Sequence, residues 1–179
     1  MSDKTKWSYL AGLLDGEGHI IIRRSKTKNK RYRKDGSFGV SHGVHYISTV
    51  GITNTNEKMM QWLKEHFGGN YYCKRSNEKQ PTWKIAYDWY ISNNKGKELL
   101  LLGVLPYLVI KRQQAILALS NIRLAEEHCP EKRQVLYEQS IALNKKGRTV
   151  ETNTSNLDEN QVKIESELIS DDKSDPIVI

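Results

Sequence analysis

The chain has 179 residues and carries 28 Lys and Arg against 21 Asp and Glu, a net charge of +7. That length allows a domain with its own core, and no apolar run approaches the roughly 20 residues of a bilayer span, so no membrane partner is expected. Cys73 and Cys129 make neither a disulfide framework nor a zinc-type CxxC pair, and the opening MSDKTKW lacks the apolar stretch of a secretory signal. We expect an intracellular protein, cytoplasmic in a prokaryote or inside an organelle.

The charge is unevenly spread. Residues 150–179 hold eight acids and two lysines, which leaves 26 basic and 13 acidic residues in 1–149, a net +13. The chain therefore divides into a body, 1–147, and an acidic tail, 148–179, rich in Ser, Asn, Thr and Asp and expected to be disordered. A basic body fits a polyanionic partner such as nucleic acid, or charge carried for solubility alone.

In chain order, WSYLAGLL predicts a helix over about 6–16, capped by Ser2 or Thr5 and stopped by Gly16 and Gly18. HIIIRR turns to strand chemistry and runs to about Lys26. The basic stretch 27–38, with Asp35-Gly36, predicts a turn or flexible loop. A second strand follows over 45–53, then a helix over 58–67, capped by Asn54 or Thr55, with Met59, Trp62 and Leu63 on its apolar stripe. A second hairpin has arms 70–76 and 82–92. In its second arm Trp83, Ile85, Tyr87, Trp89 and Ile91 alternate with Lys84, Ala86, Asp88 and Tyr90. Helices are expected over 93–102, 111–125 and 131–145. The fold class is α+β: four antiparallel strands in αββαββα order, with further C-terminal helices.

The segment Leu10 to Gly18 departs from plain helix design. Gly12 and Gly16 lie on one helical face, each costing about 1 kcal/mol relative to Ala. Such a face allows close approach of a second backbone. Asp15 and Glu17 sit at the helix C-terminus, where the dipole disfavours acids and the last carbonyls lack partners. A hard divalent cation, Mg²⁺ with Mn²⁺ as substitute, satisfies carboxylate and carbonyl oxygens together. The alternative is a solvated DGEG turn.

YLAGLLDGEGHI resembles the motif of the LAGLIDADG homing endonucleases, a family that also includes intron maturases. Leu10, Ala11, Gly12, Leu13, Asp15 and Gly16 match, and Glu17 stands where the family places its metal-binding acid. The resemblance, over about 5–145, implies a curved sheet along the DNA major groove and motif helices packed at a two-fold axis. It implies metal at Glu17 and the Gly16 carbonyl. Asn54, in ITNTNEK, matches a polar residue that places water, and Lys58 a basic residue near the scissile phosphate. Lys111, in LPYLVIKRQQA, matches a lysine that follows a Pro-aromatic-Leu segment. The catalytic set is thus Glu17, Asn54 and Lys111. Phosphodiester hydrolysis independently needs an activated water and a cation beside the phosphate. Asn54 as a helix cap and Lys111 as a surface lysine stay open as plainer roles.

Strand alternation sorts the rest. With Ile20, Ile22, Tyr46, Val50 and Ile52 facing the core, Ile21, Arg23, Ser25, His45, Ile47 and Thr49 face DNA. Tyr72, Lys74, Ser76, Lys84, Asp88 and Tyr90 join them from the second hairpin. Lys26, Lys28, Arg31 and Arg33 are expected to grip the flanking backbone. One motif in one chain implies a homodimer, with Leu10, Ala11, Gly12, Asp15 and Gly16 at its interface and a pseudo-palindromic target on the order of 20 base pairs. The expected activity is a metal-dependent, site-specific double-strand break of intron-homing type. An RNA-binding maturase and a DNA-binding protein without cleavage are the alternatives. The five histidines show no HNH or zinc spacing.

Overall fold

The computed structural model describes residues 2–32, 38–75, 82, 84–125 and 129–145, and only the backbone of 29–32, 38–42 and 75. The acidic tail, Arg33, Ser76 and Trp83 lie outside the described residues.

Helix α1 spans Asp3–Glu17, and the Ser2 side chain caps it by accepting from the Thr5 amide. Gly16 therefore lies inside the helix, and Gly18 ends it. Strands β1 (Gly18–Tyr32) and β2 (Phe38–Asn54) follow. Helix α2 covers Glu57–Phe67, β3 Asn70–Arg75 and β4 Ala86–Tyr90. Helix α3 is Asn94–Val104, a 3₁₀ turn occupies Leu105–Tyr107, α4 is Arg112–Arg123 and α5 is Pro130–Asn144. The architecture is α+β, as expected. Among the described residues no helix is long and apolar enough to cross a membrane.

The sheet order is β1-β2-β4-β3, with every neighbouring pair antiparallel. β1 and β2 pair without a break from Gly18↔Ile52 to Tyr32↔Phe38. This corrects the expected loop over 27–38: most of that basic stretch is strand. Backbone pairing satisfies each amide whatever charge the side chain carries, so a run of lysines is no bar to a ladder. β2 meets β4 over only four positions, Gly51↔Tyr90 to Asn54↔Tyr87. Among the described residues the rest of β2 has no strand on that side.

The helices cover one face of the sheet. Ile20, Ile22, Val50, Ile52, Trp89 and Ile91 are buried there, with Leu10 and Leu14 of α1, Met60 and Leu63 of α2, and Leu100, Leu101 and Val104 of α3. Met60, rather than Met59, is the buried methionine of α2. α4 is buried over every position from Ala115 to Ile122. A polar seam ties it to β2: Ser48 Oγ donates to the Ala118 carbonyl at 3.0 Å, and Asn121 Nδ2 donates to Ser48 Oγ at 2.8 Å. Burial of such groups is tolerated because each is partnered. Gly103 lies inside α3, past the expected helix end at 102. A Cβ there would come within 2.6 Å of the Trp7 ring, so glycine lets α1 and α3 pack closely.

Candidate active site and nucleic-acid interface

The C-terminus of α1 meets the start of α4. The Asp15 carboxylate accepts backbone N–H bonds from Val109 (2.8 Å), Ile110 (3.2 Å) and Lys111 (2.9 Å). Lys111 Nζ answers by donating to the carbonyls of Leu14 (2.6 Å) and Asp15 (2.8 Å). Two oddities of the motif are thereby resolved without metal. The acid at the unfavourable helix end neutralises the amides that open α4, and a lysine satisfies two of the terminal carbonyls. Burial lowers the Lys111 pKa, while the Asp15 charge opposes that shift.

Glu17 is left free of this clasp. It is exposed, and one of its carboxylate oxygens accepts from Asn54 Nδ2. Asn54 Oδ1 in turn accepts the Asn56 amide at 2.9 Å. The cap of α2 is Asn56, whose side chain accepts from Met59 N, and not Asn54 or Thr55. Asn54 is thus freed to orient the acid. The antiparallel register explains the meeting, because Gly18↔Ile52 sets the end of α1 beside the end of β2. Glu17, Asn54 and Lys111 all converge on the end of α1. Lys58 is exposed in the first turn of α2.

Among the described residues no group of three or more His, Cys, Asp or Glu forms a cation site. The donor set at Glu17 is one exposed carboxylate beside the Gly16 carbonyl. Mg²⁺ commonly takes one or two carboxylates and completes its shell with water and phosphate oxygens, so this set suits a metal shared with a phosphodiester.

The interface residues divide. Gly12 and Gly16 are exposed, and a Cβ built on either meets nothing within 4 Å. Leu10 and Ala11, expected at the interface, are fully buried by the chain's own core. Asp15 is occupied by α4. The sequence reading missed Val109 and Ile110, which are 85% and 71% exposed although apolar. They adjoin the end of α1 because their amides bind Asp15.

The open face of the sheet follows from the register. His19, Ile21, Arg23 and Ser25 lie opposite Gly51, Thr49, Ile47 and His45. Ile47 is 43% exposed, as expected for an outward apolar residue. Thr53, Asp88, Tyr90, Tyr72 and Lys74 continue the face across β4 and β3. Asp88 is buried, contrary to its expected place among solvent-facing readers. Its carboxylate accepts from Thr53 Oγ1 (2.5 Å), Tyr72 OH (3.3 Å) and Lys74 Nζ (3.4 Å). The Asp88 charge is the main influence pushing the Tyr72 hydroxyl pKa up. Asp88 therefore organises its neighbours and is not a free reader.

Lys26 and Lys28 are exposed but share their alternation with Ile20 and Ile22, so they face away from Arg23 and Ser25. Arg31 lies on β1, not in a loop. Lys84 is exposed just before β4, and Ile85, expected in the core, is also exposed. Ala86, expected outward, is buried. The expected alternation therefore holds for Trp89 and Ile91 but not at the start of the arm.

Sequence reasoning also missed His19 and Lys97. His19 lies over Gly51, where a Cβ would approach its ring to 2.7 Å, and burial is the main cause of its lowered pKa. Its two-residue spacing from Ile21 was the available signal.

A family model described as LAGLIDADG endonuclease matches residues 10–112. No curated protein matches the chain significantly. Among solved structures the chain is similar to the homing endonuclease I-CvuI in complex with its target, at 21% identity and a TM-score of 0.56, covering 93% of this chain and 96% of that one. It is also similar to an archaeal intron-encoded homing endonuclease, I-Vdi141I, complexed with DNA, at 17% identity and a TM-score of 0.60, covering 94% and 99%. These likenesses bear on the fold.

Proposed function

The chain belongs to the LAGLIDADG endonuclease family, and we propose that it is a site-specific DNA endonuclease that cuts both strands of a long pseudo-palindromic site as a metal-dependent homodimer of intron-homing type. The observation that carries the reading is Glu17. It is an exposed carboxylate at a helix end, oriented by Asn54, beside a sheet whose open face carries Arg23, Lys74, Ile47 and Tyr90.

Glu17 and the Gly16 carbonyl would hold Mg²⁺. Bound there, it would supply the Lewis acidity that activates a water and stabilises a leaving oxygen. The remaining work falls to the chain. Asn54 fixes one carboxylate oxygen of Glu17 and leaves the other for the ion. The Lys111 ammonium, 2.8 Å from the Asp15 carbonyl, stands at the helix end that carries Glu17, as the cation for developing phosphate charge. Mixed apolar, polar and basic side chains on the sheet suit base-edge reading in the major groove.

The homodimer rests on the uncovered strip of Gly12 and Gly16 with the exposed Val109 and Ile110. One acid per chain also asks for a second chain, since a double-strand break needs two cuts. I-CvuI has been seen with DNA in the presence of Ca and of Mg, the latter with DNA not cleaved, which supports a role for divalent ions here.

The test is cleavage of a randomised-site plasmid library with Mg²⁺, wild type against Glu17→Gln. Discrete double-strand cuts at a two-fold-related site, lost by at least about 100-fold in the variant while DNA binding persists, would support the reading. DNA retention without cutting by the wild type would sink the nuclease and leave a binding protein. Retention of structured intron RNA alone would move it to the maturase class.

A further inference from the structure

α3 packs its Leu100, Leu101 and Val104 against the core, and the same helical stripe begins with Lys97. Lys97 is only 4% exposed. Among the described residues no ion pair or side-chain hydrogen bond satisfies its amine, and burial lowers its pKa. An unpaired ammonium in a core position costs stability that a Leu or Met there would not. Yet its surroundings are not closed. β2 and β4 part beyond Gly51↔Tyr90, so Val50 and Ile91 flank an opening in the sheet. A hollow of about 370 Å³ occupies this place, lined by Lys97 from the helical side and by Thr49, Asp88 and Tyr90 from the open face. Asp88 does not neutralise Lys97, because its carboxylate is taken by Thr53, Tyr72 and Lys74.

We infer that Lys97 is a specificity-determining residue that reaches through the gap between β2 and β4 to donate to a guanine O6/N7 edge in the target duplex. The inference rests on the DNA-cutting reading of the same sheet face. The chemistry that suits this site is a dense pair of acceptors presented towards the middle of the sheet. In the major groove only guanine presents O6 and N7 side by side without a donor. Phosphates are a poorer fit, since they flank the groove while this amine opens among the base-reading positions Thr49 and Tyr90. A lysine set back in the hollow is also shielded from solvent, which strengthens a hydrogen bond to an acceptor that enters.

The experiment compares preferences at each base pair of the selected site, measured as equilibrium binding to single-base-pair variants of that duplex. It uses the Glu17→Gln protein with and without Lys97→Met. The expected result is that Lys97→Met loses roughly tenfold discrimination for guanine at one position in each half-site and leaves the others unchanged. Lys97→Arg should restore the preference. Lys97→Gln should turn it towards adenine, and it serves as the decisive variant if Met disturbs the fold. An unaltered preference profile in a folded Lys97→Met or Lys97→Gln protein would overturn the inference and leave Lys97 a packing residue. A uniform loss across all variants, with a salt slope lowered by about one, would overturn it in favour of a phosphate contact. Should the parent protein select no discrete site, the endonuclease reading fails and this inference falls with it.

Discussion

Asp15 and Lys111 bind each other's backbones reciprocally: the Asp15 carboxylate takes the Lys111 amide at 2.9 Å, and the Lys111 ammonium takes the Asp15 carbonyl at 2.8 Å. The pair joins the end of α1 to the start of α4, and it holds the lysine at the end of the helix that carries Glu17. On the proposed function, structure and chemistry share this one contact.

That sharing can be separated by mutation. Asp15→Ala removes an ionised acceptor from three amides and should destabilise the protein by about 2 to 3 kcal/mol in urea unfolding. Lys111→Met should cost less, about 1 kcal/mol, yet lower the cleavage rate by at least about 100-fold. If Lys111→Met cuts at the wild-type rate, the lysine is only a helix clasp.

Gly12 offers a test of the dimer that spares the protomer. A Cβ there meets nothing within 4 Å of its own chain. Gly12→Leu should leave the protomer folded, even stabilised by about 0.8 kcal/mol through helix propensity. Sedimentation should find it monomeric, and cleavage should be lost. A persistent dimer would place the interface elsewhere.

Asp88→Asn keeps one acceptor oxygen, enough for Thr53 or Tyr72 but not for both, and releases Lys74 from its ion pair. Non-specific DNA binding should tighten, and the dependence of log affinity on log salt should steepen by about one. Base preference should weaken at the same time, because Tyr72 and Lys74 lose their common anchor. Filter binding at two salt concentrations, with cognate and random duplexes, measures both effects.

Lys97 has a pH signature. Burial holds its folded pKa below the ordinary lysine value. At neutral pH it is charged in both states, and the desolvation penalty is fully present. As pH rises between the folded and unfolded pKa values, the unfolded chain holds a proton that the folded chain has released. Stability therefore rises with pH in that window. Lys97→Met should be more stable than wild type at pH 7, and the difference should shrink towards pH 10.5. Urea titrations across that range check it; a constant difference would mean that Lys97 is not desolvated.

The catalytic candidates were legible because each belongs to a short local pattern. LAGLLDGEG marks Glu17, ITNTNEK marks Asn54 and LPYLVIKRQQA marks Lys111. Part of the α2 core was legible for a similar reason, since Leu63 lies on the apolar stripe that helical spacing marks out and is buried. The extent of the first hairpin was not. Lysine-rich sequence reads as loop by composition, but a ladder depends on the partner strand. Asp88 and Lys97 were misread or passed over because charge is usually a mark of exposure, and here three donors and a gap in the sheet provide for them.

Sequence alone therefore determined the order of elements, the family motif and the candidate residues for the chemistry, because local spacing and residue type suffice for these. Only the tertiary structure decided what each does in the folded chain. It gave Asp15 to the amides of α4, freed Asn54 for Glu17, buried Leu10 and Ala11 while leaving Gly12 and Gly16 open, and brought Lys97 to the sheet. Those outcomes depend on which strands pair and where they part, and contacts between residues distant in the chain are set by packing rather than by any local pattern.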